Sequence, residues 1–468
     1  MTDRETTLSA IRDRLGKAGV VEDATGLETY NTEWRGHYHG SATFVARPAN
    51  AEECAFVVKS CFDAGIPVVP LGGNTGLVGG AVAESEVVIS TERMNKVRSV
   101  DTINGTMTVE AGCILADIQR LADDNDRLFP LSLAAEGSCR IGGNLATNAG
   151  GTAVLRYGNA RDLVLGLEVV LPTGELWDGL RALRKDNTGY DLKHLFMGSE
   201  GTLGIITAAV LKLFPKPRQV ETTLIALDNV EAVTKLFSRA NAAVGDALTA
   251  FEYMNRDCIE VTCKHTDGVR DPFEAPYPAY VLMELTSARN GTDLREALEA
   301  MLEEAFEAEE VLDAVFAESG QQREELWQMR ETIPEAQGHE GGSIKNDISV
   351  PISRMPEFLA RADAMVEETI PGIRPMTFGH IGDGNLHYNL TQPAEMDRKE
   401  FMGKWHDVTD PLNDMIFEMT GSFSAEHGVG KLKREELVKY TSPVEIELMK
   451  KVKAALDPKG LMNPGKVL

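Results

Sequence analysis

The 468-residue chain has few cysteines, little positive charge and no long apolar stretch, and each shortage excludes a class of protein. Its six cysteines form no Cys-x-x-Cys pair, which argues against an iron–sulfur centre and a disulfide framework and favours a reducing compartment. No apolar run approaches the length of a membrane span. The N-terminal residues lack both the apolar centre of a signal peptide and the acid-poor composition of a transit peptide. We therefore expect a cytoplasmic protein without an integral membrane segment.

The shortage of positive charge restricts the partners. Lysine and arginine number 47 against 72 aspartate and glutamate residues, which gives a net charge of -25. Nucleic acid and anionic membrane surfaces both need cationic protein surface, so neither is an expected partner. A small anionic substrate is compatible with this charge if a few local cations bind it. The length predicts two or three domains.

Strand and helix patterns alternate along the chain and predict an α+β protein. Two prolines, Pro215 and Pro217, end a long apolar strand pattern, and the composition changes there. Downstream, "TTLIAL" and "AYVLMELT" predict strands separated by helical patterns, which is typical of helices over an antiparallel sheet. We predict domains at residues 1–216 and 217–418 and a helix-rich C-terminal segment at 419–468.

Three glycine-rich loops lie in the first of these domains: "PLGGNTGLVGG" (70–80), "AEGSCRIGGNLATNAGG" (135–151) and "DNTGYDLKHLFMGSEGTLGII" (186–206). Such loops let backbone N–H groups approach a phosphate or pyrophosphate. No Gly-x-Gly-x-x-Gly opens a helix, and "GVGKLK" departs from the triphosphate motif at Ala425 and Leu432. Three loops together indicate a long cofactor with many contacts. A glycine-rich turn without a ligand is the alternative for any one of them.

Histidines and acids stand in two glycine-bounded segments further along. "FGHIGDGNLHYN" carries His380 and His387 on either side of a Gly-Asp-Gly-Asn turn, and "FSAEHGVGK" carries Glu426 and His427. If Gly382 to Asn385 turns between two strands, both rings can meet in one place. Two imidazoles and one carboxylate suit Zn²⁺ with a fourth position open. Taken singly, each histidine is as readily an ordinary core or surface residue.

Six ordered segments together resemble the FAD-linked D-2-hydroxyacid dehydrogenases of the vanillyl-alcohol oxidase / p-cresol methylhydroxylase flavoprotein superfamily. They are "PLGGNTGLVGG", "GSCRIGGNLATNAGG", "RKDNTGYDLKHLFMGSEGTLGIIT", "GHIGDGNLHYN", "EHGVGK" and "LDPKGLMNPGK". The similarity extends from Arg47 to the last residue and is greatest to the members that oxidise D-2-hydroxyglutarate. It implies a two-subdomain FAD-binding domain of the vanillyl-alcohol oxidase type, an α+β substrate domain with an antiparallel sheet, and a C-terminal segment that returns to the flavin.

The resemblance also implies where FAD binds. Backbone N–H groups of Leu71–Gly76 would hold the pyrophosphate, and the later loop would line the flavin. The first two glycine-rich loops, 70–80 and 135–151, contain no histidine, so we expect FAD to be bound non-covalently. The implied FAD-binding residues are Pro70, Leu71, Gly72, Gly73, Asn74, Thr75, Gly76, Gly79, Gly137, Ser138, Gly142, Gly143, Asn144, Asn148, Ile206 and Asn463.

By the same resemblance, His380, His387 and Glu426 are ligands of Zn²⁺, with Mn²⁺ as the alternative metal. Oxidation of a 2-hydroxyacid removes the hydroxyl proton and moves a hydride from C2 to flavin N5. A bound metal lowers the pKa of that hydroxyl group. Imidazole titrates near neutral pH and can accept the proton, so we predict His427 as the catalytic base.

Three residues are predicted to bind the substrate. Asn389 matches a family residue that binds the substrate's own carboxylate, while Arg330 and Lys345 fall where the hydroxyglutarate-oxidising members bind the distal carboxylate. Surface charge is the ordinary alternative for both cations. By the same resemblance, Pro334 stands where a hydroxyglutarate-oxidising member has a threonine hydroxyl, so one distal hydrogen bond would be missing. This leaves room for another diacid such as D-malate, and D-lactate is the other alternative substrate.

Electrons must leave through an external acceptor, for which the resemblance suggests an electron-transfer flavoprotein or a quinone. A second copy of the chain, forming a homodimer, is a further candidate partner. Two other classes stay open at this stage: a flavin-binding module without catalysis, and a metal hydrolase without flavin.

Overall fold

The computed structural model of the chain describes residues 4–34, 36–291 and 293–468. Short 3₁₀ turns occupy residues 17–19, 245–247, 352–354 and 381–383. The α-helices in chain order are α1 (Arg4–Leu15), α2 (Ala24–Asn31), α3 (Ala51–Ala64), α4 (Leu115–Asp124), α5 (Ile141–Ala146), α6 (Val154–Tyr157), α7 (Lys193–Phe196), α8 (Val230–Val244), α9 (Arg256–His265), α10 (Leu294–Glu307), α11 (Gly320–Glu331), α12 (Ile333–Gly338), α13 (Met355–Thr369), α14 (Arg398–Gly403), α15 (Trp405–Glu418), α16 (Arg434–Tyr440) and α17 (Pro443–Leu456).

The strands in chain order are β1 (Val20–Val21), β2 (Val45–Ala46), β3 (Val68–Leu71), β4 (Val87–Ser90), β5 (Val97–Asp101), β6 (Thr106–Glu110), β7 (Arg127–Leu128), β8 (Val164–Val170), β9 (Leu176–Gly179), β10 (Ile205–Lys212), β11 (Phe214–Pro215), β12 (Gln219–Leu227), β13 (Leu248–Asn255), β14 (Ala279–Ser287), β15 (Asp313–Phe316), β16 (Ser343–Ile344), β17 (Asp347–Ser349), β18 (Arg374–Gly379) and β19 (Asn385–Thr391). Helices and strands together make a mixed α+β chain, as the sequence predicts.

The chain forms two compact units. Unit 1 comprises Met1–Gly150, Gly158–Lys216 and Glu426–Leu468, and unit 2 comprises Gly151–Tyr157 and Pro217–Ala425. The short excursion Gly151–Tyr157 lies with unit 2 because α6 packs on β13. The segment predicted at 419–468 is divided between the units after Ala425.

Unit 1 contains two sheets. One has the order β1-β2-β4-β3, with β2 and β3 both parallel to β4. The other is antiparallel, with the order β5-β6-β10-β8-β9. Strands β8 and β9 form a hairpin whose turn lies at Pro172–Gly174. Helix α3 begins at the Asn50 N-cap and ends at Gly65 in the left-handed conformation, and it buries Cys54 and Cys61 in the core.

Unit 2 is built on one antiparallel sheet with the order β15-β12-β14-β13-β18-β19-β16, and β17 also pairs with β19. Its apolar side chains form two separate clusters. The larger cluster includes Leu236 of α8, Leu298 of α10 and Phe358 of α13. The smaller includes Leu326 of α11 and Ile333 of α12. Helices therefore cover the sheet at both clusters, and the predicted antiparallel sheet is confirmed.

In the described ranges, 4–34, 36–291 and 293–468, no helix combines the length and the hydropathy that spanning a bilayer requires.

Candidate cofactor-binding and catalytic site

The first glycine-rich loop follows β3 in unit 1. Asn74 and Gly79 adopt the left-handed conformation, with φ of 54° and 70°. The Asn74 side-chain amide donates to the Thr32 carbonyl at 2.8 Å and so fixes the loop. A Cβ on Gly73 would lie 2.6 Å from the Ser138 carbonyl oxygen, so glycine is required where this loop meets the second one. The structure thus brings the first two predicted FAD-binding loops into contact.

The second loop leads into α5, where two adjacent glycines differ in their surroundings. A Cβ on Gly142 would lie 2.6 Å from the Ala111 Cβ, whereas the nearest atom to a Cβ on Gly143 is the Gly72 Cα at 3.9 Å. Apart from their own chain neighbours, no described residue places an atom within 4 Å of a Cβ on Gly76 or Gly137. Gly142 therefore serves protein packing, and the other three leave open space beside the backbone.

Two asparagine oxygens in unit 1 fit a bound cofactor. Asn144 and Asn463 are 7% and 1% exposed, and among the described residues no hydrogen-bond donor reaches either Oδ1. Buried acceptors in proteins are normally paired. The open space at the glycines and these two oxygens are what a long polar ligand would fill and satisfy, so the residues fit FAD.

The third glycine-rich loop holds the C-terminal part of unit 1 in place. Glu200, with φ of 51°, accepts hydrogen bonds from the backbone N–H groups of Val429 and Gly430, each at 2.7 Å. Burial raises the pKa of the Glu200 carboxyl, and the two N–H donors lower it by less. The Asn463 amide donates to the carbonyls of Glu200 and Gly80. These hydrogen bonds hold the C-terminal part of unit 1 against the first and third glycine-rich loops.

Three further predicted residues also lie in unit 1. Ile206 is buried in β10, and Asn148, with φ of 51°, accepts a hydrogen bond from the Arg161 backbone N–H. The Glu426 carboxylate lies against the end of the second loop, because a Cβ on Gly150 would stand 2.5 Å from its Oε1. A side chain at position 150 would displace this carboxylate from its present position.

The histidine-bearing segment forms the predicted hairpin in unit 2. Strand β18 pairs with β19 so that Phe378 stands opposite His387, and the 3₁₀ turn at residues 381–383 joins the strands. Gly384, with φ of 88°, is required because a Cβ there would lie 2.6 Å from the Val350 carbonyl oxygen. The rings of His380 and His387 come to 5.9 Å between centroids. The turn therefore brings the two histidines together, as expected.

Each of these histidines has a buried carboxylate beside it. His380 Nδ1 lies 2.7 Å from Glu252 Oε1, and His387 Nδ1 lies 3.8 Å from Asp347 Oδ1. Glu252 and Asp347 are 0% and 2% exposed. Carboxylates in this position orient metal-binding imidazoles in many proteins. The sequence prediction missed both acids, although each is an isolated acid in an apolar strand, in "LTAFEYMN" and "NDISV".

The predicted substrate-binding arginine is held inside unit 2. Arg330 is 6% exposed, its Nε and Nη2 each lie 2.9 Å from Glu252 Oε2, and its guanidinium stacks 4.7 Å from the Phe378 ring centroid. Burial raises the pKa of the Glu252 carboxyl, but the opposing effect of His380 and Arg330 is larger. The pKa is therefore lowered to about 2. Glu252 therefore already balances the charge of Arg330 within unit 2.

The other two predicted substrate-binding residues, Lys345 and Asn389, also lie in unit 2. Lys345 is half-buried between β16 and β17, and its Nζ lies 3.4 Å from the carbonyl of Pro334 at the start of α12. Asn389 is buried, and its side-chain amide donates to Gln337 Oε1 at 3.1 Å. The structure thus places Pro334 next to Lys345 and Gln337 next to Asn389.

The segment that leads to Glu426 and His427 is anchored within unit 2. The Ala425 backbone N–H donates to the Asp347 carbonyl at 3.3 Å, and Ser422 bridges to Ser349. Asp347 stands opposite His387 in the β17–β19 ladder. Glu426 follows Ala425 by one peptide bond and is the first residue of the last part of unit 1.

Comparison with protein families and curated proteins gives two family matches and several long relatives. Residues 42–179 match the FAD binding domain, and residues 216–467 match the C-terminal domain of FAD linked oxidases. The chain is 40% identical over 466 residues to a mitochondrial D-2-hydroxyglutarate dehydrogenase of Arabidopsis thaliana, covering 98% of this chain and 81% of that protein. It is 40% identical over 443 residues to a D-2-hydroxyglutarate dehydrogenase of Xanthomonas citri pv. viticola, covering 94% and 92%.

Solved structures share the fold at low sequence identity. p-Cresol methylhydroxylase with bound substrate has a TM-score of 0.79 at 17% identity, covering 99% of this chain and 96% of that one. A 4-ethylphenol oxidase from Gulosibacter chungangensis has a TM-score of 0.75 at 18% identity, with coverage of 99% and 96%. At this identity the likeness shows the fold alone, which is the vanillyl-alcohol oxidase type predicted from the sequence.

One prediction is wrong. The relatives from Arabidopsis thaliana, Rattus norvegicus and Bos taurus are all named as mitochondrial proteins, which contradicts the cytoplasmic location expected from the N-terminal composition and the cysteines. Free buried cysteines and an acid-containing N-terminus therefore do not identify the compartment.

Proposed function

The chain belongs to the FAD-linked D-2-hydroxyacid dehydrogenases, and from that premise we propose that it oxidises D-2-hydroxyglutarate to 2-oxoglutarate with FAD and a zinc ion. It is an FAD-dependent enzyme of the D-2-hydroxyglutarate dehydrogenase type. The observation that carries the zinc proposal is the hairpin that joins His380 and His387, each beside a buried carboxylate.

FAD would be held by the open backbone of the first two glycine loops and by the C-terminal return. Gly76, Gly137 and Gly143 leave space for it, and Asn144 and Asn463 each offer a buried oxygen. Bound FAD would supply the acceptor for the hydride that leaves C2 of the substrate. No histidine stands in these loops, which supports non-covalent attachment.

The proposed zinc ligands are His380, His387 and Glu426. Two imidazole nitrogens and one carboxylate are a donor set that zinc takes in catalytic sites, with a further position open. The chain supports this set, since Ala425 is hydrogen-bonded to Asp347 and Glu426 is the next residue. Zinc at this position would act as a Lewis acid on the substrate hydroxyl. Asp347 adds a second carboxylate nearby, which is the feature that favours Mn²⁺ as the alternative metal.

His427 is the proposed base for the hydroxyl proton. It follows Glu426 directly and precedes Val429 and Gly430, whose backbone N–H groups are fixed by Glu200. These hydrogen bonds, two and three residues after His427, limit the movement of its imidazole. Limited movement suits a base, because a base must stay within hydrogen-bond reach of the proton that it accepts.

Asn389 is proposed to bind the carboxylate next to C2, and Lys345 and Arg330 to bind the distal one. Arg330 reaches Glu252 through Nε and Nη2 only, so Nη1 takes no part in that ion pair. Glu252 nevertheless offsets the arginine charge, and Pro334 offers no hydroxyl beside Lys345. These two observations favour D-malate or D-lactate as the second candidate substrate.

Reduction of the bound flavin under anaerobic conditions tests the proposal. The purified yellow protein is mixed with D-2-hydroxyglutarate, L-2-hydroxyglutarate, D-malate and D-lactate at equal concentration, and the loss of flavin absorbance is followed. We expect D-2-hydroxyglutarate to reduce the flavin fastest and the L-isomer not at all. Faster reduction by D-lactate than by either diacid would contradict the dicarboxylate proposal.

Electrons are proposed to pass to an external acceptor, an electron-transfer flavoprotein or a quinone. A homodimer is also proposed. Reoxidation of the reduced flavin by each acceptor in turn, and light scattering of the purified protein, test these two points.

A further inference from the structure

Helix α11 lays three side chains at helical spacing onto two buried carboxylates of neighbouring strands. Arg323 and Trp327 bind Glu284 of β14, and Arg330 binds Glu252 of β13. Residues three, four and seven positions apart share one helix face, so the two carboxylates are contacted by the same side of the helix. The two carboxylates differ in their remaining contacts.

Glu252 alone of the two also contacts His380. We infer that Glu252 is a positioning residue that fixes a zinc-binding imidazole with one oxygen and a substrate-binding guanidinium with the other. The inference rests on the proposed function, which assigns those roles to His380 and Arg330.

The contact with His380 decides which imidazole nitrogen is available to a metal. An ionised carboxylate only accepts hydrogen bonds, so Nδ1 must carry the hydrogen that points at Oε1, 2.7 Å away. In the neutral ring the lone pair is then on Nε2. Glu252 thereby holds His380 in the tautomer that presents Nε2 as a ligand, and it also fixes the orientation of the ring.

The contact with Arg330 fixes one edge of the guanidinium. Nε and Nη2 share Oε2, and the ring of Phe378 lies 4.7 Å from the guanidinium carbon. The side chain is therefore held on one edge and one face. Nη1 keeps its position relative to His380 because both side chains are attached to one carboxylate. Glu252 thus holds the proposed metal ligand His380 and the proposed substrate-binding Arg330 at a fixed distance from each other.

Glutamine cannot replace this carboxylate. Its side chain has one accepting oxygen and one donating NH₂, whereas both partners of Glu252 are donors. If the NH₂ faces His380, Nδ1 must accept and the hydrogen moves to Nε2, which removes the ligand lone pair. If it faces Arg330, two donors oppose each other and the guanidinium loses its anchor.

Glu284 provides a matched control. It is 5% exposed and accepts from Arg323, Trp327 and Thr222, so like Glu252 it is a buried carboxylate with several hydrogen-bond donors. The side-chain partners that the described residues give it, Arg323, Trp327 and Thr222, have no proposed role in binding or catalysis. A purely structural role for Glu252 predicts that Glu252→Gln and Glu284→Gln behave alike.

The test measures zinc affinity of the metal-free, flavin-loaded protein by competition with a chromogenic chelator, for wild type, Glu252→Gln and Glu284→Gln. We expect Glu252→Gln to bind zinc about 10- to 100-fold more weakly, in line with losses of outer carboxylates at other zinc sites, and Glu284→Gln to stay within about 3-fold of wild type. In steady-state assays KM for D-2-hydroxyglutarate should rise more than KM for D-lactate in Glu252→Gln alone.

Equal zinc affinity of the two variants would overturn the inference while leaving the proposed function intact. A wild-type chain that binds no zinc would overturn the zinc proposal and the inference with it. If Glu252→Gln does not fold, Glu252→Asp keeps the buried charge but shortens the side chain by one methylene. Its zinc affinity should fall at least about threefold, because the oxygens no longer reach both donors; wild-type affinity in Glu252→Asp would overturn the inference.

Discussion

The two units reveal their sites in opposite ways. In unit 1 the site is marked by what the described residues leave open: the space beside Gly76 and Gly137, and the buried oxygens of Asn144 and Asn463 that receive no hydrogen bond from them. In unit 2 it is marked by groups that are already paired, as when Glu252 holds both His380 and Arg330. A large uncharged backbone cradle suits a cofactor that brings its own polar groups. Prearranged charge pairs suit a metal and a small anion, which need fixed donors.

The largest expected effect separates chemistry from binding. His427→Ala should lower the rate of flavin reduction by D-2-hydroxyglutarate at least about 10²- to 10⁴-fold, because the hydroxyl proton loses its acceptor. FAD and zinc contents should match wild type, since His427 is proposed to hold neither. Stopped-flow absorbance, a flavin spectrum and metal analysis check the three points.

The control for this variant is His406→Ala, which removes an exposed histidine of α15. It should reduce flavin at the wild-type rate. Turnover retained by His427→Ala would remove that residue from the role of base.

Adjacent glycines of α5 test whether the open space in unit 1 belongs to FAD. Gly142→Ala should destabilise the flavin-free protein by about 1–3 kcal/mol, because its Cβ would lie 2.6 Å from that of Ala111. Gly143→Ala should leave the flavin-free protein at least as stable, because alanine favours helix and the position is open. Its FAD affinity should fall at least about tenfold, since a bound ligand would occupy that space.

Thermal unfolding with and without FAD, and flavin titration, measure both effects. Each variant is the control for the other. Normal FAD binding by Gly143→Ala would mean that the cradle does not face the cofactor.

Lys345→Ala tests the charge pairing in unit 2. KM for D-2-hydroxyglutarate should rise about tenfold, because the distal carboxylate loses a charged hydrogen bond, and KM for D-lactate should change little. Lys399→Ala, at an exposed position of α14 in the same unit, controls for the loss of one positive charge. Equal changes for the diacid and for D-lactate would contradict a distal-carboxylate role.

The smallest expected effect concerns a second set of charges in unit 2. Lys264, Arg374 and His265 lower the pKa of the Glu340 carboxyl to about 2, with Lys264 contributing most. The pKa of glutamate in an unfolded chain is about 4.3. These contacts therefore stabilise the folded state above that pH, and the stabilisation is lost as the pH falls towards 2. Glu340→Gln should therefore be less stable than wild type by about 1–2 kcal/mol at pH 7.

That difference should shrink below about pH 4, where the wild-type carboxylate also takes up protons. Chemical denaturation across the pH range measures it, with the exposed Glu335→Gln as the matched control. A difference that is constant down to pH 3 would mean that the charge of Glu340 is not its source.

Local sequence was enough to predict the hairpin at residues 378–389, because the Gly-Asp-Gly-Asn turn fixes both the reversal and the meeting of His380 and His387. The glycine-rich loops were equally predictable, because positions such as Gly73, where a Cβ has no room, require glycine and so are visible in the sequence. Glu252 was not predictable. Its role depends on β13 pairing with β18, in which Tyr253 stands opposite Gly379 and Met254 opposite Phe378, and on which face of α11 packs there.

The placement of residues 151–157 with unit 2 was likewise hidden in the sequence. It follows from α6 packing on β13 and from the Arg156 guanidinium donating to the Thr286 carbonyl at 2.7 Å. Contacts between residues more than a hundred positions apart leave no periodic pattern. The location in the cell was mispredicted for a different reason, because composition reports the redox environment only indirectly.

The most direct test of the central claim removes the metal and keeps the flavin. The purified protein is treated with a chelator, dialysed, and mixed anaerobically with D-2-hydroxyglutarate before and after addition of one equivalent of zinc. The account predicts that the metal-free protein stays yellow, that its flavin is not reduced, and that zinc restores reduction. Full flavin reduction by the metal-free protein would contradict it.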